Sequence, residues 1–66
     1  MQIILNGEPI QTPDNLTAAG LIEHLKLENE RLAMEINQEI APRSRYQDIR
    51  IQPDDKVEIV RAIGGG

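Results

Sequence analysis

Asn6-Gly7 interrupts a short alternating segment and thereby decides what the first dozen residues do. Both residues accept the positive φ of a two-residue turn, and such a pair between alternating hydrophobics is a strong hairpin signal. Before it, Met1, Ile3 and Leu5 alternate with Gln2, Ile4 and Asn6, the period of a strand. After it, Glu8 to Gln11 returns as a second strand with Ile10 turned toward the core. Pro9 has no N–H to give to a ladder, so this second strand belongs at a sheet edge.

The periodicity changes after Thr12 to Asn15, which reads as a turn. Thr17 is a favourable N-cap for a helix from about Ala18 to Lys26. Leu16 before the cap and Leu21 at the fourth helical position fit a hydrophobic staple. Ala18, Leu21, Ile22 and Leu25 form one apolar face, while Gly20 weighs against the helix by about 1 kcal/mol relative to alanine. A charged connection, Glu28 to Arg31, leads to a third strand in which Leu32, Met34 and Ile36 alternate with Ala33 and Glu35. Asn37-Gln38 reads as a second tight turn, followed by a short strand around Ile40. Pro42 to Asp48 is irregular, with room for one 3₁₀ turn, and Tyr46 and Ile49 pack inward. Pro53-Asp54-Asp55 is a turn before a last strand containing Val57 and Ile59.

That order is hairpin, helix, hairpin-like pair, final strand. A helix after the hairpin covers one face of a mixed sheet, and the closure places the last strand beside the first and parallel to it. The expected fold is therefore α+β, a ubiquitin-like β-grasp with four to five strands and one helix. It divides into a domain over 1–63 and a tail over 64–66.

A chain of 66 residues is one domain and buries only about 60% of its unfolded surface. It has no cysteine, hence no disulfide and no thiolate nucleophile or ligand. No signal-peptide pattern opens it, and no apolar run approaches the roughly 20 residues of a membrane span. A cytoplasmic protein without membrane association is the expectation. Seven basic residues against eleven acidic ones, a net charge of -4, argue against nucleic acid and for a basic protein partner. Arg43 and Arg45, the one close basic pair, read as a solvated loop. Ten Ile, six Leu and a single aromatic, Tyr46, leave no stacking platform for bases and little material for a closed ligand pocket.

Little else in the chain carries chemistry. His24 is the only histidine and falls on a short surface helix. Ser44 is the only serine and has no histidine at a spacing that would make a triad. Asp54 and Asp55 point in different directions and do not make an oxygen cage, so no metal is expected. What remains is the end: the last strand runs into Gly64-Gly65-Gly66 with no added linker. Three extended residues reach about 10 Å, enough to carry the Gly66 carboxylate away from the body and along a narrow channel. Strand parity adds a second feature. With Ile3, Leu5, Val57 and Ile59 facing the helix, Ile4, Val60 and Ala62 face away and form a candidate partner-docking patch beside the tail.

Three segments carry a family resemblance. Met-Gln-Ile-Ile-Leu-Asn-Gly-Glu at 1–8, Glu-Ile-Asn-Gln-Glu-Ile-Ala-Pro-Arg at 35–43 and Lys-Val-Glu-Ile-Val-Arg-Ala-Ile-Gly-Gly-Gly at 56–66 resemble ThiS, the sulfur-carrier family of thiamine biosynthesis. The turn before the last strand often carries Gly-Asp in that family, where this chain has Asp54-Asp55. The resemblance implies a non-enzymatic carrier with no bound cofactor. Gly66 would be the attachment point for adenylate and then sulfur, and Gly64 and Gly65 the tail that delivers it. The implied partners are a ThiF-like adenylyltransferase that uses ATP, a sulfur donor protein, and a ThiG-like thiazole synthase. Three alternatives stay open: the small subunit of molybdopterin synthase, usually longer and richer in aromatics; a ubiquitin-like modifier; and a β-grasp interaction module with an inert tail.

Overall fold

A computed structural model describes residues 1–61. The junction expected between residues 63 and 64, together with Ala62 and Gly64 to Gly66, lies outside the described residues.

Strand β1 (Gln2–Leu5) turns at Asn6-Gly7 into β2 (Glu8–Gln11), pairing antiparallel with Ile3 opposite Ile10 and Ile4 opposite Pro9. The turn is possible because Asn6 and Gly7 take φ of 49° and 85°. Strands β3 (Leu32–Ile36) and β4 (Glu39–Ala41) make a second hairpin, with Asn37 and Gln38 at φ of 52° and 71°. Positive φ at both turn residues is the type I′ geometry that matches strand twist. The last strand, β5 (Lys56–Arg61), lies in the middle of a five-stranded sheet ordered β2-β1-β5-β3-β4. It runs parallel to β1, with Leu5 level with Val57, and antiparallel to β3, from Leu32 opposite Arg61 to Ile36 opposite Val57. Pro9 stands on the outermost strand, where its missing N–H breaks no ladder.

Helix α1 (Ala18–His24) crosses one face of this sheet. Thr17 caps it, its hydroxyl accepting from the Gly20 N–H at 3.0 Å. Gly20 has a steric reason: a Cβ there would approach Leu16 Cδ2 to 3.2 Å and Thr17 Oγ1 to 3.4 Å. The residue that weakens the helix by propensity leaves room for Leu16 and the cap.

The helix stops two residues before the expected Lys26. Leu25 is the C-cap and Lys26 takes φ of 61°. The Lys26 N–H then bonds the Glu23 carbonyl and the Leu27 N–H bonds the Ile22 carbonyl, both at 2.9 Å. This is a Schellman ending with lysine where glycine is usual. It turns the chain back so that Leu25 and Leu27 both pack on the core.

The core between helix and sheet is aliphatic apart from Tyr46: Ile3, Leu21, Met34, Ile51 and Val57 are its fully buried large side chains. One 3₁₀ turn, Arg43–Arg45, precedes Tyr46, which is buried, whereas Ile49 is half-buried. Asp54 has φ of 67°, so aspartate does take a left-handed position in the turn before β5.

Candidate functional site

The described residues end at Arg61, the last residue of β5, and the residues expected to carry the chemistry follow it in sequence, so that pole and the sheet face beside it are the candidate site. Side chains alternate along β5. Val57 and Ile59 are buried under the helix, and Lys56, Glu58 and Val60 point to the open face.

At the pole, Leu5, Leu25, Leu27, Leu32, Ile59 and Arg61 line an apolar cleft of about 150 Å³. The Arg61 Nε sits 3.0 Å from Glu30 Oε1, which bridges the end of β5 to the segment before β3. Arg61 is exposed and Glu30 half-buried, and so solvated a pair contributes little to stability. A second holding contact comes from the first turn: the Asn6 carboxamide bonds the Ile59 backbone through both of its polar ends.

The open face has a definite pattern. Ala33 lies opposite Val60, Glu35 opposite both Glu58 and Ile40, and Ile4 level with Lys56 and opposite Pro9. Ile4 and Val60 thus share the face, but they lie four positions apart along β5, and Ile4 is half-buried. Val60 is 60% exposed, and Ala62 is outside the described residues. The most exposed large apolar residue among those described is Ile40, at 78%. It stands outside the docking patch expected from the sequence, although the sequence carries a signal for its exposure. Across a two-residue turn at 37–38, residue 40 must stand opposite residue 35, and Glu35 already alternates outward.

Glu35 and Glu58 face each other directly on adjacent strands, an arrangement that is destabilising for like charges. Neither belongs to an ion pair among the described residues. The face therefore presents two carboxylates flanked by Ile40, Ala33 and Val60. That surface suits a partner bringing cationic groups between apolar contacts.

The remaining candidates stay apart. His24 is exposed at the last helical position. Ser44 is exposed on the 3₁₀ turn, and Arg45 is drawn to Asp48 at 3.4 Å. The Asp55 carboxylate is occupied, accepting from the Gln52 N–H within its own turn at 2.8 Å and from Asn37 Nδ2 of the β3–β4 turn at 3.0 Å. Among the described residues no three His, Cys, Asp or Glu side chains group in a way that would hold a metal ion. No described helix is long and apolar enough to cross a membrane.

A mixed five-stranded sheet with its last strand central and parallel to its first, under a single helix, is the ubiquitin-like β-grasp arrangement. Comparison with known proteins narrows the class. The ThiS family model matches residues 3–66. The sulfur carrier protein ThiS of Escherichia coli (strain K12) is 32% identical over 66 residues, covering the whole of both chains. A crystal structure of the thiamine biosynthesis protein ThiS from Geobacter metallireducens superposes with a TM-score of 0.87 at 28% identity, again over both whole chains. A thiazole synthase of Paramagnetospirillum magneticum is 36% identical over 66 residues, and there the chain spans only 20% of the relative's length. The chain belongs to the ThiS family.

Proposed function

We propose that this chain is a sulfur carrier for thiazole formation in thiamine biosynthesis and that Gly66 is the residue that carries the sulfur. The observation that supports this most directly is the extent of the family match, which runs through residue 66 and so includes Gly64-Gly65-Gly66.

The chemistry follows from the weakness of a carboxylate as an electrophile. Its leaving group would be oxide. In the proposed first step a Gly66 carboxylate oxygen attacks the α-phosphorus of ATP on a partner adenylyltransferase, and pyrophosphate leaves. In the second, the terminal sulfur of a persulfide on a donor protein attacks the acyl carbon and AMP leaves. A thiol then attacks the donor-side sulfur of the resulting acyl disulfide and breaks the sulfur–sulfur bond, leaving a disulfide between that thiol and the donor and a C-terminal thiocarboxylate on Gly66. Its sulfur is soft and nucleophilic, and a thiazole synthase is the proposed acceptor. A thiazole synthase that contains a segment similar to this whole chain supports that pairing. The carrier supplies no acid, base or metal to these steps. It supplies an unhindered carbonyl, since glycine at 64 to 66 places no side chain beside the path of attack.

The open sheet face is the proposed docking surface, with Val60 and Ile40 as apolar contacts and Glu35 and Glu58 meeting basic groups. Intact mass after incubation with ATP, the cognate adenylyltransferase and a sulfur source tests the reading. Replacement of one oxygen by one sulfur is expected. An unchanged mass would point to an inert interaction module, and a covalent join to another protein to a modifier.

A further inference from the structure

The parallel ladder between β1 and β5 proceeds in regular steps. The Ile4 N–H bonds the Asp55 carbonyl and the Asn6 N–H bonds the Val57 carbonyl, each at 2.9 Å. Had β1 continued extended, the carbonyl of residue 6 would next accept the Ile59 N–H, and the N–H of residue 8 would bond the Ile59 carbonyl. Neither backbone group is there, because Asn6 has φ of 49° and the chain turns away to β2, where Glu8 pairs with Leu5. The Asn6 carboxamide takes both places. Its Oδ1 accepts the Ile59 N–H at 2.9 Å and its Nδ2 donates to the Ile59 carbonyl at 3.2 Å. One side chain stands in for the missing stretch of strand. Among the described residues, no hydrogen bond from the β1 flank reaches β5 beyond Ile59.

The turn alone does not require this. Glycine accepts the same φ without a side chain. Aspartate also tolerates it, but its second oxygen would face the Ile59 carbonyl, acceptor against acceptor. Only the amide supplies an acceptor and a donor spaced like those of the ladder. We infer that Asn6 is a positioning residue for the C-terminal segment: its carboxamide holds the β1 flank of β5 at Ile59 and so sets the heading of the strand at Arg61, from which the last five residues continue. The consequence for sulfur loading rests on the carrier reading above.

The second hairpin provides an internal control. Asn37 is also the first turn residue, has φ of 52°, and uses its carboxamide on β5, but at Lys56, the opposite end of the strand. Asn6→Gly and Asn37→Gly therefore remove equivalent groups at the two ends. Asn6→Asp keeps an acceptor for the Ile59 N–H and removes the donor. Two measurements are made on each full-length variant: amide exchange by NMR, and steady-state sulfur loading by the adenylyltransferase.

In Asn6→Gly, Ile59 amide exchange should quicken at least about tenfold relative to the amides of β3, as expected for loss of two partly buried hydrogen bonds. The loading kcat should fall by about tenfold, a loss of about 1.4 kcal/mol of transition-state stabilisation. KM for the carrier should stay unchanged, because the docking face is intact. Asn6→Asp should fall between, and Asn37→Gly should load as the unsubstituted protein does. Ile59 exchange no faster than that of β3, or an equal loss of kcat in Asn37→Gly, would overturn the inference by reducing Asn6 to a turn residue. If the unsubstituted protein takes up no sulfur, the carrier reading fails, and Ile59 exchange alone decides the clasp.

Discussion

The Asn37 carboxamide oxygen accepts the Lys56 N–H at 3.0 Å at the point where β5 enters the sheet. The Asn37 N–H completes the contact by bonding the Lys56 carbonyl at 2.7 Å. Asn6 does the corresponding work at Ile59 with its side chain. Each asparagine is placed by its own hairpin, yet both hold the same non-local strand. The physical reason is that asparagine tolerates the left-handed backbone of a type I′ turn and also carries a donor and an acceptor that match a peptide group.

Gln38, beside Asn37, takes φ of 71° with no such compensation and is exposed. A left-handed residue with a Cβ carries a strain of roughly 1–2 kcal/mol that glycine does not. Gln38→Gly should stabilise the domain by about 0.5–1 kcal/mol, raising Tm by several degrees at this size. Thermal denaturation followed by circular dichroism measures it. A lower Tm would mean that the Gln38 side chain contributes more than its backbone loses.

Leu21 is fully buried between helix and sheet. Leu21→Ala should lose about 2–5 kcal/mol, a large share of the stability of so small a domain. Urea unfolding should show a sharply lowered midpoint or no native baseline. A loss below about 1 kcal/mol would mean that the core collapses around the cavity.

Val60 and Ile40 are exposed, so Val60→Asp and Ile40→Asp should change stability by less than about 1 kcal/mol. Both should weaken binding to the adenylyltransferase by at least about tenfold, which is about 1.4 kcal/mol. Ile4→Glu should lower Tm more than either, because Ile4 is half-buried. Isothermal titration calorimetry with folded variants is the measurement. Unaltered affinity in both Val60→Asp and Ile40→Asp would move the docking surface off this face.

The two ends of the chain should respond oppositely to extension. The Met1 ammonium bonds the Thr12 carbonyl and lies 2.9 Å from Asp14 Oδ1, which belongs to an exposed side chain. An N-terminal extension keeps an N–H for Thr12 and gives up only the ion pair with Asp14, so it should preserve folding and sulfur loading. One alanine added after Gly66 turns the carboxylate proposed to carry the sulfur into a peptide carbonyl and should abolish loading. Intact mass of the two extended proteins reports both outcomes. Loading of the alanine-extended protein without prior proteolysis would refute attachment at Gly66.

Both hairpin turns, the Thr17 cap, the edge position of β2 and the alternation of β1, β3 and β5 were legible in the residues themselves. Each depends on a residue's own φ preference, on a missing N–H, or on a period that neighbours within a few positions display. The end of the helix was not legible. Lysine is no usual left-handed residue, and the chain turns at Lys26 because doing so packs both Leu25 and Leu27 on the core. The exposure of Ile40 followed from register, which pattern alone left uncounted. The clasp of Asn6 on Ile59 spans 53 residues, and Asn-Gly announces only the turn. That contact exists because β5 returns to lie parallel to β1 and outruns it by several residues. Only the assembled sheet brings the Asn6 side chain to hydrogen-bond distance of the Ile59 backbone, so only the tertiary structure could assign the asparagine its second partner.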